Sequence, residues 1–176
     1  MPWGQPQQYG QQEGYNQGFG GQPAQQFELV PRPNQKYCIA LAAAPHMVID
    51  SSGNPMERRK CILYNRNYGD NQKWIFVPSH NGSYLVINCQ DRGTMEIPDS
   101  SQGQQGTQLH VAQPSNTINE AWYVRPQGNG VAFFAAFNEQ MGLNVSGGQF
   151  LNEADIIIWP FSGAENEIWV LIPCND

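Results

Sequence analysis

From about Pro31 onward, apolar residues come in short runs broken by Gly, Pro, Asn and Asp, and no stretch holds a 3.6-residue apolar period for three turns. The pattern predicts an all-β domain over residues 31–176, with many tight turns and little helix. Strand alternation puts Cys61 and Leu63, and likewise Ile156 and Ile158, on inward positions, which turns Tyr64 and Trp159 outward. Residues 1–26 follow no such pattern. They hold nine Gln, six Gly and three Pro, one charged residue (Glu13), and the spaced aromatics Trp3, Tyr9, Tyr15 and Phe19. So few aliphatic side chains do not offset chain entropy, and residues 1–30 are therefore expected to be a disordered tail. Its Gln/Gly and aromatic alternation fits weak self-association as well as it fits an inert solubilising extension.

A repeat organises the rest. Asn71-Gln72-Lys73-Trp74-Ile75-Phe76-Val77-Pro78 returns as Asn119-Glu120-Ala121-Trp122-Tyr123-Val124-Arg125-Pro126 and as Asn166-Glu167-Ile168-Trp169-Val170-Leu171-Ile172-Pro173. The tryptophans are 48 and 47 residues apart, and Met47, Met95 and Met141 precede them by 27, 27 and 28 positions. A propeller needs four or more blades, whereas this chain has three units. Three units of roughly four strands suit a closed, pseudo-threefold barrel with a hairpin cap, in which closure removes exposed edges and each unit gives one tryptophan to a shared core. Asn81-Gly82 and Asn129-Gly130 mark the turns that precede the strands at Tyr84–Cys89 and Val131–Phe137.

Over about residues 33–174 the chain resembles the ricin-type β-trefoil lectins, whose signature is Gln-x-Trp once per repeat. Gln72-Lys73-Trp74 matches literally, and the other two copies carry Glu for Gln. The resemblance implies a β-trefoil. It also implies a sugar pocket per competent repeat, built from an Asp after the first hairpin strand, an aromatic on the next strand, and the Asn before the motif glutamine. These residue types match what a sugar presents. A carboxylate accepts from two adjacent hydroxyls, an amide donates and accepts, and a ring packs on the apolar face of a pyranose.

Counting back from each tryptophan, repeat 1 supplies Asp50, Tyr64 and Asn71, with Ile62 as a wall and Gln72 orienting the amide. Repeat 3 supplies Asn144, Trp159 and Asn166, with Glu167 in the Gln72 role; the missing carboxylate predicts a weaker pocket or one that prefers a different hydroxyl arrangement. Repeat 2 gives Pro98, Ala112 and Asn119, with Asp99 one position away, and is expected to be silent. Gln72, Glu120 and Glu167 are expected to tie down turns through backbone amides near the surface. The implied partners are galactose- or N-acetylgalactosamine-type glycans. The alternative left open is a protein-binding trefoil, a protease inhibitor or a cytoskeletal or receptor-binding module, that uses its loops.

Charge and composition narrow the field. Nine Lys+Arg against fifteen Asp+Glu give a formal charge of −6, which argues against a nucleic-acid partner. The longest apolar runs, Val131–Phe137 and Ile156–Phe161, are far below the ~18 to 20 residues that span a bilayer, so no membrane insertion is expected. The amino terminus lacks basic and apolar leader regions, and cytoplasmic residence is the default expectation, with unconventional export open. Cys38, Cys61, Cys89 and Cys174 show no metal-ligand spacing, and no cofactor is expected. Cys38 and Cys174 open and close neighbouring strands, yet a reducing compartment makes free thiols the expectation. His46, His80 and His110 are scattered and no nucleophilic relay is visible, so no enzymatic activity is expected. Arg58-Arg59-Lys60, the only basic run, reads as a solvated strand edge.

Overall fold

The computed structural model describes residues 26–53 and 59–175. Twelve strands follow the threefold repeat. The first unit holds β1 (Lys36–Leu41), β2 (Ala44–Ser51), β3 (Cys61–Asn65) and β4 (Trp74–Pro78). The second holds β5 (Tyr84–Asn88), β6 (Thr94–Glu96), β7 (His110–Ala112) and β8 (Ala121–Gln127). The third holds β9 (Gly130–Ala135), β10 (Asn138–Val145), β11 (Ala154–Pro160) and β12 (Trp169–Cys174). The only helical pieces among the described residues are short 3-10 turns, consistent with the absence of a sustained helical period.

The antiparallel ladders β1–β4, β4–β5, β5–β8, β8–β9, β9–β12 and β12–β1 close six strands into a ring. A closed ring leaves no row of unpaired backbone groups. The hairpins β2–β3, β6–β7 and β10–β11 cap one end. A β11–β3 ladder and single bridges at Gln108–Ile157 and Lys60–His110 tie these hairpins to one another. The architecture is a β-trefoil, as the resemblance implies.

Trp74, Trp122 and Trp169 are wholly buried at the centre of the core. An indole N–H taken out of water needs an acceptor. Each finds one on the hairpin strand of its own unit: Ile49 O at 3.1 Å, Met95 O at 3.1 Å and Leu143 O at 3.2 Å. These acceptors define structural equivalence, and they correct the methionine spacing. Met47 and Met141 lie two residues before their acceptors, whereas Met95 is itself the acceptor. The second unit carries a longer connection between hairpin and tryptophan, so equal spacing there conceals a shift of two positions.

One turn also moves. The β8–β9 ladder runs to Gln127–Gly130, so the two-residue loop is Gly128-Asn129, with a left-handed φ of +57° only at Gly128. That is the type II′ pattern, with glycine in the first central place. Gly130 is instead a close-approach glycine: a Cβ there would sit 2.2 Å from the Trp169 carbonyl oxygen. The Asn81-Gly82 turn is as expected, with φ of +55° and +80°.

The tail expected over residues 1–30, with its self-association, lies outside the described residues as far as residue 25. Its last residues join the fold. Glu28 N donates to Leu171 O at 2.9 Å, and the Glu28 carboxylate accepts from Arg32 and from the Tyr37 hydroxyl. The Arg32 guanidinium beside it holds that carboxyl below its ordinary value.

Gly130→Ala is expected to destabilise the protein by ~1–3 kcal/mol in urea or thermal melts, because the obstructing atom is backbone and cannot swing aside. Gly53→Ala, with nothing within 4 Å of the added Cβ, should stay within ~0.5 kcal/mol of wild type. Equal stability of the two variants would show that the β9–β12 approach is not tight.

Candidate functional site

In repeat 1 the β2–β3 ladder pairs Asp50 with Ile62 and Val48 with Tyr64. Met47, Ile49, Cys61 and Leu63 occupy the other face and enter the core. Asp50, Ile62 and Tyr64 therefore share the outer face, Asp50 directly across from Ile62 and on the diagonal from Tyr64, a separation of ~7–8 Å for such neighbours. The 3-10 turn Asp70–Gln72 brings the motif amides against the hairpin. Asp50 Oδ2 accepts from Asn71 Nδ2 at 2.9 Å and from Gln72 Nε2 at 2.8 Å. Gln72, fully buried, also donates to Asn65 O at 3.0 Å and accepts from Asn67 N at 2.7 Å. Hydrogen bonds thus join Asp50, Asn71 and Gln72, while register places Ile62 opposite Asp50 and Tyr64 on its diagonal; Asp50 is only 5% exposed, and its Oδ1 keeps no hydrogen-bond partner among the described residues. Burial pushes the Asp50 carboxyl above its ordinary value of 3.8, and the bonds from Gln72 and Asn71 pull it partly back.

Repeat 3 has the same layout with the acid moved. Asn144 pairs across with Ile157, and Gly142 with Trp159. Asn144 Oδ1 accepts from Asn166 Nδ2 at 3.2 Å, and its Nδ2 donates to Glu167 Oε1 at 3.1 Å. Glu167 Oε2 accepts from the backbone N–H groups of Ser162 (3.0 Å), Gly163 (2.9 Å) and Ala164 (3.1 Å) and from the Ser162 hydroxyl (3.0 Å). Its charge is spent on the loop and is not offered outward. Trp159 is 42% exposed. Its ring lies beside Gly106, where an added Cβ would stand 3.6 Å from it. Trp159, Ile157, Asn144 and Asn166 line an open cleft of about 380 Å³ whose far wall is the 3-10 turn Ser146–Gly148. In the sequence Ser146-Gly147-Gly148 reads only as a hairpin turn; its role as a wall depends on where β11 returns.

Repeat 2 corrects the count made from the tryptophan. The register set by the Trp122 indole puts Glu96, opposite His110, in the place of Asp50, and Ala112, opposite Thr94, in the place of Tyr64. Pro98 is two positions too far along because the connection to Trp122 is longer. Asp99, the neighbour noted from the sequence, accepts a hydrogen bond from Asn119. No ring stands at the platform position. Glu120 behaves like Glu167, accepting from Thr94 Oγ1 at 2.7 Å and from the backbone N–H of Ser115 and Asn116. All three motif residues therefore hold turns, but from wholly buried positions rather than near the surface, because their partners compensate the burial.

The basic run is not a solvated edge throughout. Arg59 is ion-paired with Asp91 and only partly exposed, and Arg58 lies outside the described residues. Among the described residues no cluster of three His, Cys, Asp or Glu could hold a metal ion, and no helix is long and apolar enough to cross a membrane.

The same fold and motif recur in known proteins. A family model for the ricin-type beta-trefoil lectin domain-like proteins matches residues 70–159. No curated protein sequence matches the chain. Among solved structures, the designed threefold-symmetric protein ThreeFoil superposes with a TM-score of 0.72 at 21% identity, covering 78% of this chain and 97% of its own. The ricin B-like lectin of Macrolepiota procera, solved with lactose, gives 0.69 at 20% identity over 81% of this chain and 98% of its own. The earthworm R-type lectin C-half, solved with GalNAc, gives 0.61 at 17% identity over 79% of this chain and 98% of its own. At these identities the likeness is one of fold.

The raised Asp50 carboxyl makes a pH-dependent contribution of definite sign. The fold prefers the neutral acid, so the contribution is present below the ordinary value of 3.8 and is lost as pH rises through the higher folded value. Asp50→Asn keeps an oxygen for both donors and removes the titration. The stability of wild type relative to Asp50→Asn should fall as pH is raised from about 3 to about 7, measured by urea melts. A difference that stays flat with pH would contradict the assignment.

Proposed function

This chain belongs to the ricin-type β-trefoil lectin-like family, and on that premise we propose that it is a non-catalytic, carbohydrate-binding lectin that takes galactose- or GalNAc-type glycans at repeats 1 and 3. The observation that carries the reading is that two of three repeats set an outward ring, Tyr64 or Trp159, on the same face as a hydrogen-bonded pair, Asp50–Asn71 or Asn144–Asn166. A ring stacks on the C–H face of a pyranose while the polar pair reads hydroxyls at its edge. The lactose and GalNAc bound by the Macrolepiota and earthworm lectins support the choice of sugar class.

The two pockets differ in strength for a stated reason. In repeat 1 Asp50 offers Oδ1 as a charged acceptor, and such bonds are about twice as strong as neutral ones. In repeat 3 the charge sits on Glu167 and is taken up by the loop, so the sugar meets amides and the Trp159 face. Repeat 2, with Ala112 where the ring should be, takes no sugar. Each shallow pocket binds a monosaccharide at about the millimolar level. Two pockets on one chain raise affinity for a multivalent glycan by ~100-fold or more.

Titration with lactose and with GalNAc, followed by NMR or calorimetry, tests this. Wild type is expected to bind at two sites. Asp50→Asn should weaken the stronger site by roughly tenfold, the loss of one charge-assisted bond, with stability retained. Trp159→Ala should remove the weaker site and leave the stronger one. If wild type gives no saturable response to either sugar, or if both variants bind as wild type does, the lectin reading fails.

A further inference from the structure

Where β1 and β12 close the barrel, two thiols meet on its outer side. Cys38 pairs across with Ile172 and Lys36 with Cys174, so the cysteines are diagonal neighbours. Their Sγ atoms are 3.1 Å apart, 136 positions apart in the chain, and both are unlinked. The sulfurs need to close by only about 1 Å to reach bonding distance. Cys38 is buried in a small apolar layer with Ala40, Val48, Val170 and Ile172. Cys174 is half-buried and opens on a cleft of about 270 Å³ that it shares with Arg66, Tyr68 and Lys73. The Arg66 guanidinium lies over the Tyr68 ring at 5.1 Å, and Lys73 pairs with Asp70 at 3.0 Å, which offsets part of its charge. Cys61 and Cys89 touch no other sulfur among the described residues.

We propose that Cys38 and Cys174 form a redox-active dithiol that exchanges with anionic low-molecular-mass disulfides, oxidised glutathione being the probe, and thereby latches the barrel seam. Cys174 is the attacking sulfur. A hydrogen bond from the Cys38 thiol, helped by Lys73 and Arg66 and opposed by burial, pulls Cys174 down to about 7, while Cys38 is pushed up. Burial, as the main cause, pushes the Cys61 and Cys89 thiols up. The Cys174 thiolate attacks one sulfur of the incoming disulfide, the S–S bond of that molecule breaks, and one thiolate leaves. Cys38 then gives up its proton and displaces the second thiolate from Cys174. Two protein thiols become one disulfide, one external disulfide becomes two thiols, and the two protein protons end on those leaving sulfurs. The cationic cleft wall favours a carboxylate-bearing disulfide in the first step. A bridge across so long a loop restricts the unfolded chain strongly.

The full-length chain, equilibrated in glutathione buffers of rising oxidised fraction, tests the proposal. The expected result is loss of two of the four thiols, a single intramolecular link between Cys38 and Cys174 in a non-reducing peptide map, and a melting temperature higher by roughly 10 °C that dithiothreitol reverses. Cys38→Ser should stop at a mixed disulfide on Cys174, and Arg66→Gln should slow the first step several-fold. Retention of all four thiols in excess oxidised glutathione, a first link between any other pair, or glutathione on Cys89 ahead of Cys174 would each overturn it. The wild-type map decides the matter even if a serine variant folds poorly.

Discussion

A buried indole N–H must find an acceptor, and this chain meets that demand three times in the same way. In each repeat the motif tryptophan fills the barrel and bonds a carbonyl on the hairpin strand of its own unit. That bond couples barrel to cap, because the tryptophan belongs to a barrel strand or its start and the carbonyl to a cap hairpin. It also sets the register of everything outward from it. The residue after each acceptor, Asp50, Glu96 or Asn144, lies on the strand face turned away from the core, where Asp50 and Asn144 are nonetheless buried. A slip of one residue would send those side chains into the core.

Given that frame, repeats 1 and 3 differ by where the acid sits. Repeat 1 has it on the hairpin at Asp50 with an amide in the motif, while repeat 3 has an amide at Asn144 and the acid in the motif at Glu167. The hydrogen bond between the two positions survives the exchange, since an amide can serve either carboxylate as donor. What changes is which oxygens remain for a ligand. Glu167 is taken up by three backbone N–H groups and a hydroxyl, whereas Asp50 retains Oδ1. One fold requirement is met in two ways, and only one of them leaves a carboxylate oxygen without a protein partner among the described residues.

The seam between β1 and β12 is a different kind of place. There the two ends of the trefoil meet, with no covalent link other than the long path through all three repeats. Glu28 adds a bridge to β12 from outside the repeat, and the Cys38–Cys174 contact lies on the same seam. The other barrel pairings join strands of one repeat or of consecutive repeats, so closure is where long-range order concentrates.

The Gln/Glu-x-Trp copies, their spacing, and the alternation around Tyr64 and Trp159 made a closed threefold barrel and its outward rings legible from residues alone, because repetition and strand period are properties of the chain read in order. Asp50, Asn71 and Gln72 were reached through the family resemblance, by counting back from Trp74, since repeat 1 keeps the family's spacing. What the order of residues could not carry was register across loops of unequal length. The indole acceptors put Glu96, not Pro98, in the place of Asp50, and the barrel ladders made Gly128-Asn129 the turn and Gly130 a packing residue. The destination of the Glu167 charge and the meeting of Cys38 with Cys174 likewise needed tertiary structure, because hydrogen-bond partners and contacts across a closed barrel are chosen by distance in space.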